Sequence, residues 1–361
     1  MPGQQTGYDI IVVGAGFAGM YALHRLRGMG LSVRVFERGD GVGGTWHWNR
    51  YPGARCDVES LDYSYSFDED LEQEWEWTER YPTQPEILRY LNHVADRFDL
   101  RRDIQLSTAA TQAHYAAEVN RWHVRTSDGQ DWSARFFITA AGCLSSVNRP
   151  KFEGLESFEG DWYHTGQWPH EGVDFTGKRV GFIGTGSTGI QAIPQIAKQA
   201  AHLHVFQRTP NFSMPAYNCP LSAEKQAEIK ADYRNRRLLS RESAAGVPST
   251  HPDVAPQRSA LSISDQERAR IYEEGWHRGG AAGVIFAFND IATNIEANQT
   301  AADFVRRKIG EIVVDPEVAQ RLMPHDHPIG TKRICVDTEY YETYTGTTSR
   351  SSTSGPTRSR S

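Results

Sequence analysis

The sequence predicts an α/β protein built on two β-α-β units, with a helical segment inserted into the second. A glycine motif with the spacing G-x-G-x-x-G follows a short apolar run at Gly14, and the same motif recurs at Gly184. Each motif leads into a segment whose apolar residues have helical spacing, and then into a second apolar run. Residues 221–323 are polar and mostly helical in pattern. We therefore expect two Rossmann-like dinucleotide-binding domains with a helical insertion.

The first unit covers residues 8–37. Residues 10–13 form a continuous apolar run, as expected of a buried parallel strand, and residues 32–36 form the second strand. Residues 41–60 are rich in Gly, Trp, Arg and Pro and are predicted to be a loop. A capping box at Thr83 predicts that a helix begins there. Residues 104–139 have a strand-like pattern.

The second unit follows a connector that is punctuated by proline and glycine. It begins with a strand at residues 179–183, continues through a helix to about Ala200, and ends in a strand at residues 202–206. We predict these domain boundaries: 1–147 for the first domain, 148–177 for the connector, 178–344 for the second domain with its insertion at about 221–323, and 345–361 for a disordered tail.

Length and charge limit the possible functions. A chain of 361 residues with 39% hydrophobic residues is long enough for two domains with sizeable cores. Its net charge of -6 argues against nucleic acid as the main partner. No apolar run approaches the length of about 18 residues that a membrane span requires, so we expect no membrane partner.

Cysteine and histidine spacing predicts neither a disulfide framework nor a metal site. The four cysteines lack C-x-x-C spacing. The histidine pairs at 202/204 and 325/327 have no further ligands at metal spacing. We therefore expect no bound metal and a cytoplasmic location.

The first glycine motif consists of Gly14, Gly16 and Gly19. In such motifs the first glycine makes the tight turn, the second lets the backbone approach a pyrophosphate, and the third lets helix and strand pack closely. Glu37 ends the second strand, where a carboxylate can accept hydrogen bonds from the ribose hydroxyls. It would repel a 2′-phosphate, so this site suits FAD or NAD rather than NADP.

The second motif has the opposite charge at the ribose. Its residues are Gly184, Thr185, Gly186, Ser187, Thr188 and Gly189. The following strand is succeeded by Gln207 and Arg208 in place of an acid, which suits the 2′-phosphate of NADP. The alternative is that Arg208 is a solvated surface residue. Two sites of opposite ribose chemistry imply hydride transfer from NADPH to a bound flavin, which assigns FAD to the first site.

The connector carries an unusual set of aromatic and titratable residues. Phe158, Gly160, His164, Trp168 and Pro169 have the spacing F-x-G-x-x-x-H-x-x-x-W-P. A purely structural interpretation is an aromatic hinge. The segment nevertheless matches the fingerprint of the Baeyer–Villiger monooxygenases, which the chain resembles from about residue 8 to Tyr344. Further matches lie at 42–46, 49–57 and 330–333, and the likeness is greatest to the phenylacetone- and steroid-oxidising branch.

This resemblance implies a reaction. Members of the family reduce FAD with NADPH, and the reduced flavin captures O2 as a peroxyflavin. The peroxyflavin attacks a small ketone, and an ester or lactone is formed. Such an anionic intermediate needs a fixed cation in a water-poor site.

The resemblance also implies roles for particular residues. Arg333 matches the active-site arginine, and Asp57 matches the carboxylate that pairs with it. Lys332 and Arg208 would share the 2′-phosphate, with Thr209 beside them. His164 would be structural. The residues that would line the flavin site are Gly44, Thr45 and Trp46.

Two alternatives compete with this interpretation. An N- or S-oxygenating flavin monooxygenase has the same two glycine motifs, but Trp168-Pro169 and Asp57 count against it. An inactive nucleotide-binding fragment is the non-enzymatic alternative. The discriminating observation is whether the purified protein is yellow and consumes NADPH when given a ketone, because an inactive fragment would not do so.

The last 17 residues differ in character from the rest, because residues 345–361 are only Thr, Ser, Gly, Arg and Pro. This composition is typical of a disordered tail. If GC-rich codons are assigned to these residues and one base is restored after the Tyr344 codon, the other reading frame encodes an apolar strand. That strand resembles what the family carries at this point. We therefore expect a frameshift product, an incomplete first domain, weak binding of FAD, and little oxygenation by this chain.

Overall fold

A computed structural model describes residues 6–144, 146–345 and 349–352. The chain divides into two compact units, Met1–Tyr51 with Gln84–Gly172, and Pro52–Thr83 with Val173–Ser361. The predicted contiguous boundaries differ from this division in two places. Residues 52–83 belong to the second unit, and most of the connector belongs to the first.

Long-range hydrogen bonds explain why residues 52–83 join the second unit. The guanidinium of Arg236 donates to both carboxylate oxygens of Asp62, at 2.6 and 2.5 Å. The hydroxyl of Tyr233 donates to the carbonyl of Leu61 at 2.8 Å. These partners lie more than 170 positions apart, so local sequence patterns could not reveal them.

The strands are, in chain order, β1 Thr6–Val13, β2 Val33–Phe36, β3 Ile104–Gln105, β4 Ala110–Ala116, β5 Arg121–Thr126, β6 Asp131–Thr139, β7 Arg179–Ile183, β8 His202–Phe206, β9 Ser213–Pro215, β10 Cys335–Asp337 and β11 Ser349–Ser352.

The α-helices are α1 Phe17–Gly28, α2 Thr45–Trp48, α3 Glu69–Glu74, α4 Gln84–Arg97, α5 Ser187–Ala197, α6 Ala223–Ala231, α7 Tyr233–Glu242, α8 Asp265–Arg278, α9 Ala282–Ile285, α10 Ile295–Ile312 and α11 Pro316–Leu322. None of the helices described is long and apolar enough to cross a membrane.

The first unit contains a sheet with the order β3-β2-β1-β6-β5-β4. Strand β1 runs parallel to β2 and to β6, whereas β4, β5 and β6 are joined as antiparallel neighbours. Its core includes Ile11, Phe36, Val124 and Ala134. The predicted β-α-β unit is confirmed as β1, α1 and β2. The loop predicted for residues 41–60 is interrupted by the short helix α2.

The second unit contains the other β-α-β unit, in which β7 pairs in parallel with β8 and helix α5 connects the two strands. Strands β9 and β10 form a separate parallel pair. The helical insertion is confirmed, because α6 to α11 lie between Ala223 and Leu322. The predicted α/β class is therefore confirmed.

One segment of the predicted tail is a strand. Strand β11 pairs in parallel with β8, with Ser349 opposite Leu203. An edge strand presents unpaired N–H and C=O groups that any extended backbone can satisfy, whatever its side chains. Apart from Thr345, the rest of the predicted tail lies outside the described residues.

Candidate functional site

The first glycine motif forms a turn that has no room for side chains. Gly14 has φ +103°, and a Cβ atom there would lie 2.5 Å from the carbonyl oxygen of Ala140. A Cβ atom on Gly19 would lie 1.8 Å from the carbonyl oxygen of Gly14. Helix α1 begins after Gly16 without a side-chain cap and without an acid in its first turn. Its N–H groups and dipole therefore suit a phosphate.

Glu37 lies at this turn, as the sequence predicts. Its carboxylate is buried and accepts hydrogen bonds from the N–H groups of Ala15 and Gly39, both at 2.7 Å. The N–H groups of Ala15 and Gly39 thus hold the acid beside the glycine turn.

The predicted residues Gly44, Thr45 and Trp46 lie next to the same turn. Gly44 has φ +54°, and a Cβ atom there would lie 2.9 Å from the Cα atom of Gly16. Thr45 begins helix α2, and the buried Trp46 accepts a hydrogen bond from the side chain of Gln84 through its carbonyl. The structure therefore brings all these predicted residues together in the first unit.

The second glycine motif repeats the geometry of the first. Gly184 also has φ +103°, and a Cβ atom on Gly189 would lie 2.3 Å from the carbonyl oxygen of Gly184. Helix α5 begins after Gly186 without a side-chain cap or an acid in its first turn. The hydroxyl of Thr185 donates to the carbonyl of Thr209 at 3.3 Å, which ties the turn to the segment after β8.

Positive charge is available near the end of β8. The buried Gln207 donates to the carbonyl of Arg321 at 2.7 Å, so the position that often carries an acid is neutral and engaged elsewhere. Arg208 follows it and is exposed, and Lys332 is exposed as well. Thr188 lies half-buried in the first turn of α5.

The predicted catalytic pair forms an ion pair within the second unit. The guanidinium of Arg333 lies 3.1 Å from the carboxylate of Asp57. The Asp57 side chain is 5% exposed, whereas that of Arg333 is 69% exposed. Burial raises the pKa of Asp57 to about 6, although Arg333 opposes this shift. Thus a buried carboxylate anchors a cation that can still reach a ligand.

The structure also shows residues that the sequence interpretation missed. The amide of Gln191 donates to Asp57 at 2.9 Å. Cys335 contacts the hydroxyl of Ser187 at 3.3 Å and the amide of Asn211 at 3.1 Å. The available signal for Gln191 was a polar residue inside an apolar stretch of a helix, because buried polar groups are normally hydrogen-bonded.

The fingerprint residues of the connector lie in the first unit. His164 accepts the N–H of Gly166 through Nδ1 at 3.1 Å, which caps a short turn. Trp168 is buried and its ring lies 5.7 Å from that of Tyr163. The positions of the others are Phe158 (exposed), Gly160 (against the Phe158 ring) and Pro169 (half-buried). Within the described ranges, no cluster of three or more His, Cys, Asp or Glu residues could hold a metal ion.

A family model described as flavin-binding monooxygenase-like matches residues 7–216, which is more than half of the chain. The chain belongs to the flavin-binding monooxygenase-like family. Both glycine motifs and the whole connector fingerprint lie within the matched residues, so the match includes the features from which the two nucleotide sites were predicted.

Similar members of this family include named oxygenases. The chain is 46% identical over 339 residues to a Baeyer-Villiger monooxygenase of Pseudooceanicola batsensis, covering 93% of this chain and 61% of that protein. It is 44% identical over 349 residues to the phenazine N-monooxygenase PhzNO1 of Lysobacter antibioticus, covering 94% and 62%. It is 43% identical over 343 residues to cyclohexanone 1,2-monooxygenase of an Acinetobacter species, covering 94% and 62%.

Solved structures of this family agree with the fold. Oxidized steroid monooxygenase bound to NADP matches with a TM-score of 0.91 at 57% identity, covering 96% of this chain and 65% of that one. An open structure of cyclohexanone monooxygenase matches with a TM-score of 0.92 at 45% identity, covering 97% and 67%. The chain spans about three fifths of the length of the curated relatives it matches.

Proposed function

We propose that this chain comes from an FAD- and NADPH-dependent monooxygenase that inserts one oxygen atom of O2 beside the carbonyl of a small ketone. The observation that carries the proposal is the ion pair between Asp57 and Arg333, which lies in the same compact unit as the second glycine motif. The names and bound nucleotides of the relatives support the assignment of reaction and cofactors.

The first motif fits FAD. Its glycines leave space where a Cβ atom would collide with backbone, and the uncapped first turn of α1 offers N–H groups to a pyrophosphate. The carboxylate of Glu37 is an acceptor for ribose hydroxyls. When bound, the flavin supplies the redox chemistry and the activation of O2.

The second motif fits NADPH. The first turn of α5 has no acid that would repel a pyrophosphate. Arg208 offers a guanidinium fork for the 2′-phosphate, and Lys332 offers a second positive charge. The absence of an acid at Gln207 removes the group that would select NADH.

Arg333 is the residue that we assign to the oxygenation step. A guanidinium stays protonated at any physiological pH, so it can stabilise developing negative charge without donating a proton to it. Asp57 is buried and lies 3.1 Å from it, so the carboxylate can restrain the largely exposed guanidinium. We assign these two side chains the roles of fixed cation and orienting carboxylate, and His164 a structural role.

N-oxygenation is the second candidate, because the phenazine N-monooxygenase is almost as similar to this chain as the Baeyer-Villiger monooxygenase. In N-oxygenation the nucleophile would be a ring nitrogen of the substrate, whereas a ketone presents an electrophilic carbon. The two substrates therefore require flavin oxygen of opposite reactivity, and product analysis separates them.

The test uses the chain alone and the chain extended after Tyr344 by the remaining segment of the Baeyer-Villiger monooxygenase of Pseudooceanicola batsensis. Both receive FAD, NADPH, O2, and a panel of cyclic, aryl and steroid ketones beside phenazine. We expect the extended form to give esters or lactones that carry one atom of 18O2. Ketone-independent N-oxide formation, or NADPH consumption with no oxygenated product from any ketone, would contradict the proposal.

We also propose a cytoplasmic location. All four cysteines are free thiols, which is typical of a reducing compartment, and the proposed reductant is NADPH. Cell fractionation of the source organism with an antibody to this chain tests the location, and recovery in an oxidising compartment would contradict it.

A further inference from the structure

We propose that Gln191 is a positioning residue that fixes the Asp57 carboxylate, and through it the Arg333 guanidinium, to the helix that begins at the second glycine motif. The catalytic meaning of this inference rests on the proposed function, but the geometry stands by itself. Gln191 lies two residues after Gly189, within helix α5.

The side chain of Gln191 makes contacts at both ends of the short segment that carries Asp57. Its amide nitrogen donates to Oδ1 of Asp57 at 2.9 Å and to the carbonyl of Arg55 at 3.2 Å. Its amide oxygen accepts the N–H of Arg55 at 3.3 Å. One amide therefore pairs with the Arg55 backbone in both directions and orients the Asp57 carboxylate.

The backbone of the same segment also lies directly on helix α5. Gly53 has φ +77°, and a Cβ atom there would lie 2.5 Å from the carbonyl oxygen of Gln191. The approach is so close that only glycine fits without displacement of the helix or the loop. Close backbone contact at Gly53 and the amide contacts at Arg55 and Asp57 therefore hold the segment at three points.

The interaction takes place away from water. Gln191 is 7% exposed as a residue, and the Asp57 side chain is 5% exposed. A buried carboxylate that loses a hydrogen-bond donor has no solvent to replace it. The other oxygen of Asp57 contacts Arg333, so each carboxylate oxygen has a separate partner, one on α5 and one on the cation.

Several charged or titratable groups surround Asp57 and influence its protonation. Arg333 and Arg55 lower the pKa of Asp57, and so does the hydrogen bond from Gln191, whereas burial raises it to about 6. The neighbouring groups that interact with Asp57 electrostatically are the thiols of Cys56 and Cys335, the phenol of Tyr81 and the carboxyl of Asp337. Replacing Gln191 alone leaves all of these groups in place.

This arrangement connects the nucleotide motif to the ion pair. The first turn of α5 offers its N–H groups to a pyrophosphate, and the next turn carries Gln191. A nucleotide that binds at the start of the helix therefore binds the same rigid element that orients Asp57. Gln191 acts through Asp57 and Arg333, so its role is positioning.

The test measures the titration of Asp57 in the 361-residue chain by 13C NMR of carboxyl-labelled aspartate, with the signal assigned by Asp57→Asn. Gln191→Met keeps an unbranched side chain of similar size and removes every hydrogen bond of the amide. We expect the titration midpoint of Asp57 to rise by about one pH unit, since a hydrogen bond to a charged group is lost. Gln191→Glu should raise it further, because a second carboxylate would face Asp57.

Gln226→Met is the matched control. Gln226 is also a buried glutamine of the second unit, and it accepts the N–H of Trp77 at 3.1 Å. Replacing Gln226 removes a buried hydrogen bond but no contact of Asp57. The titration midpoint of Asp57 should therefore stay at its value in the unchanged chain. An unchanged midpoint in folded Gln191→Met or Gln191→Glu protein, or an equal rise in the control, would overturn the inference.

The titration needs no ketone turnover, so it separates this inference from the proposed function. A shifted midpoint without any oxygenated product would leave Gln191 as the positioning residue of a pair with another role. An unshifted midpoint in an active enzyme would retain the oxygenase and reject the role of Gln191.

Discussion

Replacing Arg333 by methionine should destabilise the second unit at alkaline pH and leave it almost unchanged at acidic pH. Burial raises the pKa of Asp57 to about 6, and the guanidinium at 3.1 Å favours the ionised form. Below this pKa the carboxyl is mostly neutral, so the loss of the cation matters little. Above it, a buried carboxylate would lose its opposite charge.

The size of the effect follows from the geometry. Loss of an adjacent opposite charge raises a carboxyl pKa by roughly one to three units, and we take one to two, because water screens the largely exposed Arg333. The variant should then be less stable by about 1–2 kcal/mol at pH 8 and by near zero at pH 5.

The sign is that of a group whose pKa is raised on folding. The unfolded carboxyl ionises near pH 4, whereas the folded one retains its proton to about pH 6. The unfolding free energy therefore falls as pH rises through this window, and in the Arg333→Met variant the fall extends toward pH 7–8.

Native-state hydrogen exchange measures this for the second unit alone. The N–H of Ala216, which donates to the carbonyl of Asp337 at 2.7 Å, reports the opening free energy. The same substitution in an Asp57→Asn background is the control, and the difference between pH 5 and pH 8 should disappear there. An equal loss at both pH values, or a loss that persists in the Asp57→Asn background, would show that Arg333 does not stabilise the unit through the Asp57 carboxylate.

Three further predictions concern the nucleotide sites and a second buried carboxyl. Arg208→Ala should weaken NADP+ binding by about 1.5–3 kcal/mol in calorimetric titration and leave NAD+ binding unchanged; equal losses would contradict the assignment. Gly19→Ala should abolish FAD binding in a fluorescence titration, because its Cβ would lie 1.8 Å from a carbonyl oxygen, whereas Gly28→Ala in the same helix has free space and should bind normally. Burial raises the pKa of Asp337 to about 7, so its contribution to stability falls between about pH 4 and pH 7. The unfolding free energy should therefore drop by about 2–3 kcal/mol less between pH 5 and pH 8 in Asp337→Asn than in the unchanged chain. An unchanged pH dependence by hydrogen exchange would argue against this prediction.

Local patterns were sufficient to predict both β-α-β units and the helical insertion. The glycine motifs could be interpreted because each glycine is required for its own steric reason, and the spacing G-x-G-x-x-G is enough to identify the three positions. Glu37 was predicted for the same reason, since it ends a strand at a fixed distance from its glycine turn.

What the sequence could not predict depends on partners far apart in the chain. Residues 52–83 were assigned to the first domain because they follow it in sequence, yet Asp62 and Leu61 bond to the helical insertion. Arg333 and Asp57 were paired only through the family resemblance. Gln191 was missed, because a single polar residue in an apolar helix does not indicate which distant group it contacts.

Composition did not predict a strand in the tail. Strand β11 consists of serine and arginine, which no propensity rule favours as a strand, and it pairs in parallel with β8. Backbone pairing at an exposed edge is therefore the part of the fold that side-chain patterns describe least well.

The proposed function requires that the two nucleotide sites pass electrons from NADPH to a flavin. Anaerobic reduction of FAD tests it most directly, with FAD supplied in excess over the 361-residue chain and with free FAD as the control. We expect that NADPH bleaches the bound flavin absorbance faster than NADH does, and that Arg208→Ala removes this difference. If FAD and NADPH are both shown to bind and the flavin nevertheless stays oxidised, the proposed electron transfer is wrong.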